Sequence, residues 1–451
     1  MPSPSTRDAV TRLLVPAGAL GLGWDEAALE RGIVRRPDLI AIDGGSTDSG
    51  PAYLGRGVSK YSRAQVLGEW TALIDAARRA GCPLVVGTAG TSGAGTAVDW
   101  MLDVTREALG GRPARVAVLR CDRDPEAVAR DWHRVRALPG APDAGPDDVR
   151  ACSNLVALAG VEQVGAALGT GADIVICGRA TDTAILAALP LARGADAGCA
   201  WLGAKVGECG SLATTRPWSG VIEIDFDAAG CTVRPLAEGA EATPRTVAAH
   251  LLYENADPVL LHEPGGHLDA STARYAADGP ACRIEGARWV PGPYTVKLEG
   301  ARPDGFGAQS LVVVRHPRYV AAIDDWCASL VAEAERRLAA RMPGEAVRLD
   351  LRRIGVDAAL GPLEAATGAP VEVGVLLRAR AATQAAALEA ARIVNPLLLH
   401  HPLTPGEPMP TFAFPSSPAE CATGEAHAFV LHHVLPLDDP MDGFALEVVD
   451  A

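Results

Sequence analysis

The sequence predicts an α/β fold, a parallel sheet flanked by helices, followed by an α+β region toward the C-terminus. Two observations lead to this class. Apolar runs of strand length alternate with helical patterns through the first half of the chain, which is typical of a parallel sheet. After about residue 290 the patterns follow the order β-α-β-β-α-β, which is the ferredoxin-like order.

Five short apolar runs in the first half are typical of buried strands. They are Leu13–Val15, Leu39–Ile42, Leu84–Val86, Val116–Leu119 and Ile174–Cys177. Helical patterns cover residues 61–81, 97–109 and 153–168, and the first of these has an apolar face formed by Val66, Trp70, Leu73, Ile74 and Ala77. Ligand sites in such sheets lie beyond the carboxyl ends of the strands, so a site is expected in the loops that follow them.

The second half predicts a hairpin and then the α+β region. Residues 221–236 alternate in polarity around an Asp-Ala-Ala-Gly turn, which indicates a β-hairpin. The ferredoxin-like order comprises Ser310–Val314, Tyr319–Ala340, Val347–Arg352, Val371–Leu377, Gln384–Leu398 and Ala428–Val434. We place a boundary within residues 236–250, which gives a parallel α/β domain over residues 1–240 and an α+β domain over residues 241–451.

The composition limits the class of protein. A net charge of -14 argues against nucleic-acid and anionic-membrane partners, because both require basic patches. No stretch approaches the roughly 20 apolar residues of a membrane span, and the N-terminus lacks the apolar core of a signal peptide. The ten cysteines are scattered without a Cys-x-x-Cys, which argues against zinc. We expect a soluble cytoplasmic enzyme.

Lysine is rare in this chain. Of the 41 Lys+Arg, only Lys60, Lys205 and Lys297 are lysine. Where arginine serves almost everywhere, a retained lysine is a candidate for a role that needs a compact ammonium group. The alternative is chance retention at the surface.

Residues 41–55 form the first candidate site. They follow a predicted strand and supply two carboxylates, Asp43 and Asp48, which could transfer protons or hold a divalent metal. Ser46, Thr47 and Tyr53 are candidate substrate-binding residues in the same segment. The alternative is a tight turn in which Asp48 caps the local backbone.

Residues 85–100 form a strand, a glycine-rich loop and a helix start. Backbone N–H groups in this arrangement can bind phosphate or carboxylate, and the candidate binding residues are Thr88, Gly90, Ser92 and Gly93. The spacing matches neither the dinucleotide-binding nor the Walker pattern, so no nicotinamide, flavin or ATP is predicted. The alternative is a flexible turn.

Three further segments carry polar groups. Arg179 and Asp182 follow the fifth strand, and we assign Arg179 to an anion contact, the alternative being a pair that stabilises the turn. Glu208 is a candidate acid or base, whereas the adjacent thiol is a poor nucleophile beside a carboxylate. Lys297 lies on a polar strand face and could stabilise a developing oxyanion, the alternative being a surface lysine paired with Glu299.

Residues 250–267 contain three histidines and two glutamates that could line a pocket or hold a metal. Their spacing matches no known zinc motif, and solvated loops are the alternative explanation.

Taken together, these segments resemble the AtuA family of acyclic terpene utilisation. The resemblance is carried by IAIDGGSTDSGPAYLG, VVGTAGTSGAG, GADIVICGRATDTA, the Glu-Cys-Gly of residues 208–210, TPRTVAAHLLYENADPVLLHEPGG and PYTVKLEGAR. It covers nearly the whole chain. Gly44 and Thr91 are departures, since similar members often have alanine and glycine there.

The resemblance implies a catabolic or biosynthetic enzyme subunit, in a family named for a catabolic route through acyl-CoA intermediates. Our leading expectation is a lyase of the hydratase/dehydratase type acting on a small carboxylate or acyl-CoA, because the segments supply acid, base and anion-binding groups. The alternatives are a non-catalytic scaffold subunit, or a CoA-transferase or isomerase. The resemblance also implies a homo-oligomer with a separate small partner subunit.

Overall fold

The computed structural model describes residues 10–218, 220–365, 368 and 370–451. The chain forms two compact units. Unit 1 comprises the residues up to Arg302 together with Phe429–Ala451, and unit 2 comprises Pro303–Ala428. This division lies elsewhere in the chain than the predicted domain boundary between residues 240 and 241.

The described residues form the following strands and α-helices. The strands are β1 (Thr11–Val15), β2 (Leu39–Asp43), β3 (Leu84–Gly87), β4 (Arg115–Arg120), β5 (Arg136–Ala137), β6 (Asn154–Ala157), β7 (Ile174–Cys177), β8 (Ile222–Phe226), β9 (Gly230–Pro235), β10 (Leu260–Glu263), β11 (Gly266–Asp269), β12 (Arg274–Asp278), β13 (Ala281–Glu285), β14 (Arg288–Pro291), β15 (Thr295–Val314), β16 (Arg348–Ile354), β17 (Val373–Ala381), β18 (Glu420–Pro436) and β19 (Ala445–Asp450). The α-helices are α1 (Glu26–Val34), α2 (Pro51–Arg56), α3 (Arg63–Ala80), α4 (Gly95–Leu109), α5 (Pro125–Arg130), α6 (Pro146–Arg150), α7 (Val161–Gly169), α8 (Ala184–Ala192), α9 (Ala197–Gly207), α10 (Pro244–His250), α11 (Pro317–Ala321), α12 (Ile323–Arg341) and α13 (Gln384–His400).

The main sheet of unit 1 has ten strands in the order β12-β13-β9-β8-β1-β2-β3-β7-β4-β19. Its five central strands are those predicted from the apolar runs, and they are parallel to one another. The flanking strands are antiparallel, because β8 pairs with β1 and β19 pairs with β4 in that direction. The sheet is therefore mixed, with a parallel centre, and not parallel throughout as predicted.

Alternation along the central strands divides the apolar side chains between two cores. Leu13 and Leu39 belong to one core, whereas Leu14 and Ile40 belong to the other. Helices α8 and α9 cover the first face, and α1, α3 and α4 cover the second. Burying both faces of the sheet explains why these strands appear in the sequence as continuous apolar runs. No helix among the described residues is long and apolar enough to cross a membrane.

The prediction of one helix over residues 153–168 is wrong in its first part. Asn154–Ala157 is strand β6, which pairs antiparallel with the start of β15, and α7 begins only at Val161. Pairing with a distant strand outweighs the local helical pattern here, since a short apolar run fits either structure.

The hairpin predicted for residues 221–236 is confirmed as β8 and β9. In unit 2 the elements follow the predicted order β-α-β-β-α-β, with β16 paired to β17 and β17 to the second part of β15. Helices α12 and α13 pack on this sheet in one core with Trp326 and Val375. The ferredoxin-like assignment of this unit stays a prediction.

Candidate active site

The carboxyl ends of the central strands meet at one edge of the main sheet, where unit 1 contains a cavity of about 640 Å³. Asp43 is the last residue of β2, and Arg179 and Asp182 follow β7. Glu208 comes from the end of α9, which packs beside the sheet. This convergence follows from the parallel strands, as the topology rule for α/β sheets predicts.

Five of the residues selected from the sequence line this cavity: Asp43, Ser46, Asp48, Asp182 and Glu208. The other polar side chains in the described lining are Ser49, Lys60, Tyr61, Cys209, Ser211, Tyr253 and Glu254. The apolar part of the lining consists of Ala17, Ala19, Leu22, Leu212, Pro217 and Trp218. The cavity is thus lined by carboxyl groups together with a substantial apolar wall.

Asp43 is held at the buried end of this cavity. Its Oδ2 accepts a hydrogen bond of 2.9 Å from the Gly45 N–H, while Oδ1 is buried and has no hydrogen-bond partner. Burial raises the pKa of Asp43 well above its ordinary value, and the nearby Asp182 carboxylate raises it further. The shift favours the protonated form of Asp43, which is the form that can act as an acid.

Asp182 is the second carboxyl with an unused oxygen. Its Oδ1 is buried without a hydrogen-bond partner and lies 3.7 Å from Arg179 Nη1. Burial raises the pKa of Asp182 to about 6, although Arg179 and Lys205 oppose that shift. Asp182 is thus mostly ionised at neutral pH, in contrast to Asp43. Two neighbouring carboxyl groups whose surroundings give them different pKa values can serve as acid and base.

Glu208 forms a buried ion pair with Lys205. Lys205 Nζ donates to Glu208 Oε1 at 2.5 Å, and both side chains are almost inaccessible to solvent. Burial raises the pKa of Glu208 to about 8 despite the attraction of Lys205, and Asp182 adds to the shift. The sequence indicated Glu208 as an acid or base but did not assign a role to Lys205.

Arg179 is enclosed by protein groups and does not line the cavity. Its Nε donates to Glu299 Oε2 at 2.9 Å, Nη1 donates to Thr88 Oγ1 and the Ala180 carbonyl, and Nη2 reaches Thr47 Oγ1 at 3.3 Å. These bonds use the guanidinium N–H groups within the protein. Arg179 is placed to influence the cavity carboxyls through its charge, and a substrate anion would have to displace these partners.

The glycine-rich loop packs between strand ends beside the cavity. The backbone N–H groups of Thr88, Ala89, Thr91, Ser92 and Gly93 all donate to backbone carbonyl oxygens. The first N–H of α4, from Gly95, donates to Asp122 Oδ1 at 2.7 Å. None of the four residues predicted to bind substrate here, Thr88, Gly90, Ser92 and Gly93, is among the described lining of the cavity. In this structure the loop is hydrogen-bonded to the ends of the neighbouring strands, through the carbonyl groups of Gly44, Cys177 and Gly178.

Two threonines in this loop have left-handed backbone conformations. Thr88 has φ 49° and Thr91 has φ 72°. Such conformations are strained for β-branched residues and persist where the surroundings require them. Thr91 Oγ1 accepts from the Lys60 N–H at 3.1 Å, so the strained residue holds a cavity-lining segment in place.

The remaining predicted residues lie around the cavity lining. Thr47 Oγ1 donates to Glu299 Oε2 at 2.8 Å, and Lys297 Nζ lies 2.9 Å from Glu299 Oε1. Tyr53 is half-buried in α2. Neither Thr47, Lys297 nor Tyr53 belongs to the described lining. Lys297 therefore contacts the site through the Glu299 carboxylate.

Glu299 was not among the residues selected from the sequence, although it binds Arg179, Thr47 and Lys297 beside the cavity. Burial alone would raise its pKa, but Arg179 and Lys297 outweigh that effect and hold the pKa of Glu299 at about 2. Glu263 is a second omission, although its segment was noted for its polar groups. Its Oε1 accepts from Thr183, its Oε2 is buried without a partner, and burial raises its pKa to about 7.

The described residues contain no group of three or more His, Cys, Asp or Glu arranged to hold a metal ion. The fold and cavity together define a mixed α/β protein with a carboxyl-lined site at the strand ends. A family model described as acyclic terpene utilisation family protein AtuA matches residues 58–421, and the chain belongs to this family. No curated protein and no solved structure matches it.

Proposed function

We propose that this protein is a catabolic hydro-lyase that adds water to, or removes it from, a small carboxylate or acyl-CoA. The observation that carries the proposal is the pair Asp43 and Asp182. Both line one cavity, and each has one buried oxygen without a hydrogen-bond partner. Unpartnered buried polar atoms are rare in proteins, and at a cavity they are suited to a ligand.

In the dehydration direction, the Asp182 carboxylate takes the proton from the carbon next to the substrate carbonyl. The electron pair released there forms the new double bond, and the hydroxyl on the neighbouring carbon leaves. Asp43 gives its proton to that hydroxyl, so that it departs as water. Hydration is the reverse, and the two carboxyls then exchange their protons with solvent.

The electrostatic surroundings support this division of roles. Burial, together with the neighbouring Asp182 carboxylate, raises the pKa of Asp43 and favours its protonated form, whereas Arg179 stabilises the ionised form of Asp182 at 3.7 Å. Lys205 and Glu208 lie behind this pair and add a buried ammonium group to the same region. The apolar lining, which includes Leu22 and Leu212, accommodates a hydrocarbon portion of the substrate.

The test uses purified protein with a series of 3-hydroxyacyl and 2-enoyl compounds, as free acids and as thioesters, in ¹⁸O-labelled water. A hydro-lyase places labelled oxygen on the enoyl substrates. Asp43→Asn and Asp182→Asn should each lower turnover by at least about 100-fold, the usual contribution of a positioned acid or base. Asp103→Asn is the control, because that carboxylate is exposed on α4 and outside the cavity lining.

Two results would contradict the proposal. Exchange of the substrate proton with deuterated water, without gain or loss of water, would indicate an isomerase. Full turnover in both Asp43→Asn and Asp182→Asn would place the chemistry elsewhere.

The proposal includes an assembly, a homo-oligomer with a small partner subunit. It is supported by the terminal strands of the sheets, such as β12 and β16, which have a single neighbour among the described strands. Exposed strand edges favour pairing with other chains. Light scattering of the purified chain at micromolar concentration tests this, and a monomer that is fully active alone would contradict it.

A further inference from the structure

One end of the cavity is buried in the protein and the other end is exposed to solvent. Asp43 and Glu208 are buried, whereas Lys60, Asp48 and Trp218 belong to the exposed part of the lining. A ligand that enters therefore meets Lys60 at the solvent end and the Asp43 carboxyl at the inner end.

The cations around the inner end already donate to carboxyl groups of the protein. Arg179 is bound to Glu299, and Lys205 is bound to Glu208. An anionic group placed at the inner end would meet the Asp182 carboxylate, while the nearby Arg179 and Lys205 already donate to Glu299 and Glu208. Like charges brought together in a partly dry site are strongly unfavourable. The group that reaches the inner end is therefore uncharged.

Lys60 is in a different situation. It is the one Lys or Arg in the described lining of the cavity, and its Nζ donates to a hydroxyl, Ser49 Oγ, at 2.7 Å. No carboxylate of the described chain forms an ion pair with it, whereas most arginines of unit 1 have one. Its ammonium group thus keeps N–H donors for a ligand.

The position of this ammonium group is also fixed. Its Nζ lies 5.0 Å from the centre of the Tyr61 ring, and the Lys60 N–H donates to Oγ1 of the strained Thr91. The ring and the Ser49 hydroxyl restrict a side chain that is ordinarily flexible, which lowers the entropy cost of binding an anion. Lysine at this position in an arginine-rich chain is consistent with a need for a compact charge.

We propose that Lys60 binds an anionic group of the substrate at the exposed end of the cavity, while an uncharged hydroxyl-bearing end reaches Asp43 and Asp182. The ligand class is a molecule with a carboxylate or phosphate separated by an apolar spacer from its reacting group. The placement of the reacting end rests on the proposed function, and the anion site does not.

The experiment compares three probes of equal chain length by isothermal titration calorimetry at low salt: 6-hydroxyhexanoate, 6-hydroxyhexyl phosphate and hexane-1,6-diol. The wild-type protein should bind at least one anionic probe roughly fivefold more tightly than the diol, the scale of a partly exposed ion pair. The stronger of the two anionic probes identifies the carboxylate or the phosphate as the preferred group. The preference should weaken as salt is added.

Three variants make the comparison specific. Lys60→Gln should remove the preference for anions and leave the affinity for the diol unchanged, whereas Lys60→Arg should retain part of it. Arg63→Gln removes an equal charge three residues further on, at an exposed residue paired with Glu107 and outside the cavity lining, and should change nothing.

The proposal is overturned if the wild-type protein binds neither anionic probe, or binds them no better than the diol. It is equally overturned if Lys60→Gln keeps the preference, or if Arg63→Gln reduces it as much. Loss of the preference in Lys60→Gln, combined with no water chemistry on any hydroxyacyl compound, would retain the anion site and reject the hydro-lyase.

Discussion

The Arg179 guanidinium is bound by the Glu299 carboxylate, with Nε 2.9 Å from Oε2 and Nη2 3.4 Å from Oε1. The two residues are 120 positions apart in the chain and both are buried. Thr47 and Lys297 bind the same carboxylate, so that all four side chains form one network beside the cavity. The network places a fixed positive charge behind the Asp182 carboxyl.

We expect Glu299→Gln to destabilise the protein strongly. The amide keeps the shape of the side chain but removes the nearer of the two carboxylates beside the buried Arg179 cation, leaving Asp182 at 3.7 Å. Removing one partner of a buried pair costs about 3–5 kcal/mol. Chemical denaturation monitored by circular dichroism measures this. Glu107→Gln, which breaks the exposed pair with Arg63, serves as the control and should have little effect. Equal losses in the two variants would show that the buried network is not important for stability.

A pH dependence of activity follows from Asp182. As the base it must be ionised, and burial raises its pKa to about 6, so kcat/KM should rise as pH increases through about 6. Burial raises the pKa of Asp43, so activity should fall at higher pH as Asp43 loses the proton that it gives to the leaving hydroxyl. Kinetics from pH 5 upward on the best substrate measure the profile. A profile that is flat across pH 6 would exclude Asp182 as the base.

The stability of the fold should depend on pH through Glu208. Its pKa is raised to about 8 in the folded protein, so between about pH 4.3, its unfolded pKa, and pH 8 the folded state holds a proton that the unfolded state releases. Stability from this group is fully present below the unfolded value and is lost as pH rises through about 8. Glu263, with a pKa raised to about 7, acts in the same direction.

The melting temperature should therefore decline between pH 6 and pH 8.5, and Glu208→Gln should make that decline shallower because the amide does not titrate. The amide oxygen can still accept from Lys205 Nζ, so a constant offset in melting temperature is not part of this prediction. The slope, and not the absolute value, is the readout. A slope identical to that of the wild type would contradict the assigned pKa. Glu299 contributes only at acid pH, since its pKa is held at about 2.

The strands and part of the site could be predicted because their causes are local. Strands buried on both faces leave continuous apolar runs, as in Leu39–Asp43, and the topology rule then directs attention to the loops that follow. Asp43 and Asp182 were selected in this way, whereas Glu208 was selected for its carboxyl group beside Cys209. The resemblance to the family, carried by the same loops, is confirmed by the family model that matches residues 58–421.

The remaining features depend on contacts between distant segments. Glu299 is a site residue because β15 pairs with β6 and brings its carboxylate to Arg179, and nothing near residue 299 in the sequence indicates that partner. Because of the same pairing, Asn154–Ala157 forms strand β6 and not the first part of the predicted helix. Strands β12 and β13 extend the sheet of unit 1, which continues to Arg302.

The glycine-rich loop offers a test of what its glycines do. Gly93 has φ 62°, and a Cβ there would lie 2.2 Å from the Arg179 backbone nitrogen. Gly110, at the end of α4, has nearly the same conformation, φ 57°, with nothing within 4 Å of the added Cβ. The two positions therefore share the backbone strain and differ in the close contact.

We expect Gly110→Ala to lower stability by about 1–2 kcal/mol, the cost of a left-handed conformation for a residue with a Cβ. Gly93→Ala should lower it by a further 1–3 kcal/mol or so, because the backbone around Arg179 has to move. That movement should also change the activity of Gly93→Ala, since Arg179 lies 3.7 Å from Asp182, while Gly110→Ala should keep wild-type kcat. Denaturation and kinetics on both variants measure the two effects. If Gly93→Ala were no less stable than Gly110→Ala, the loop would have to be an open turn and not the packed element between strand ends that the structure shows.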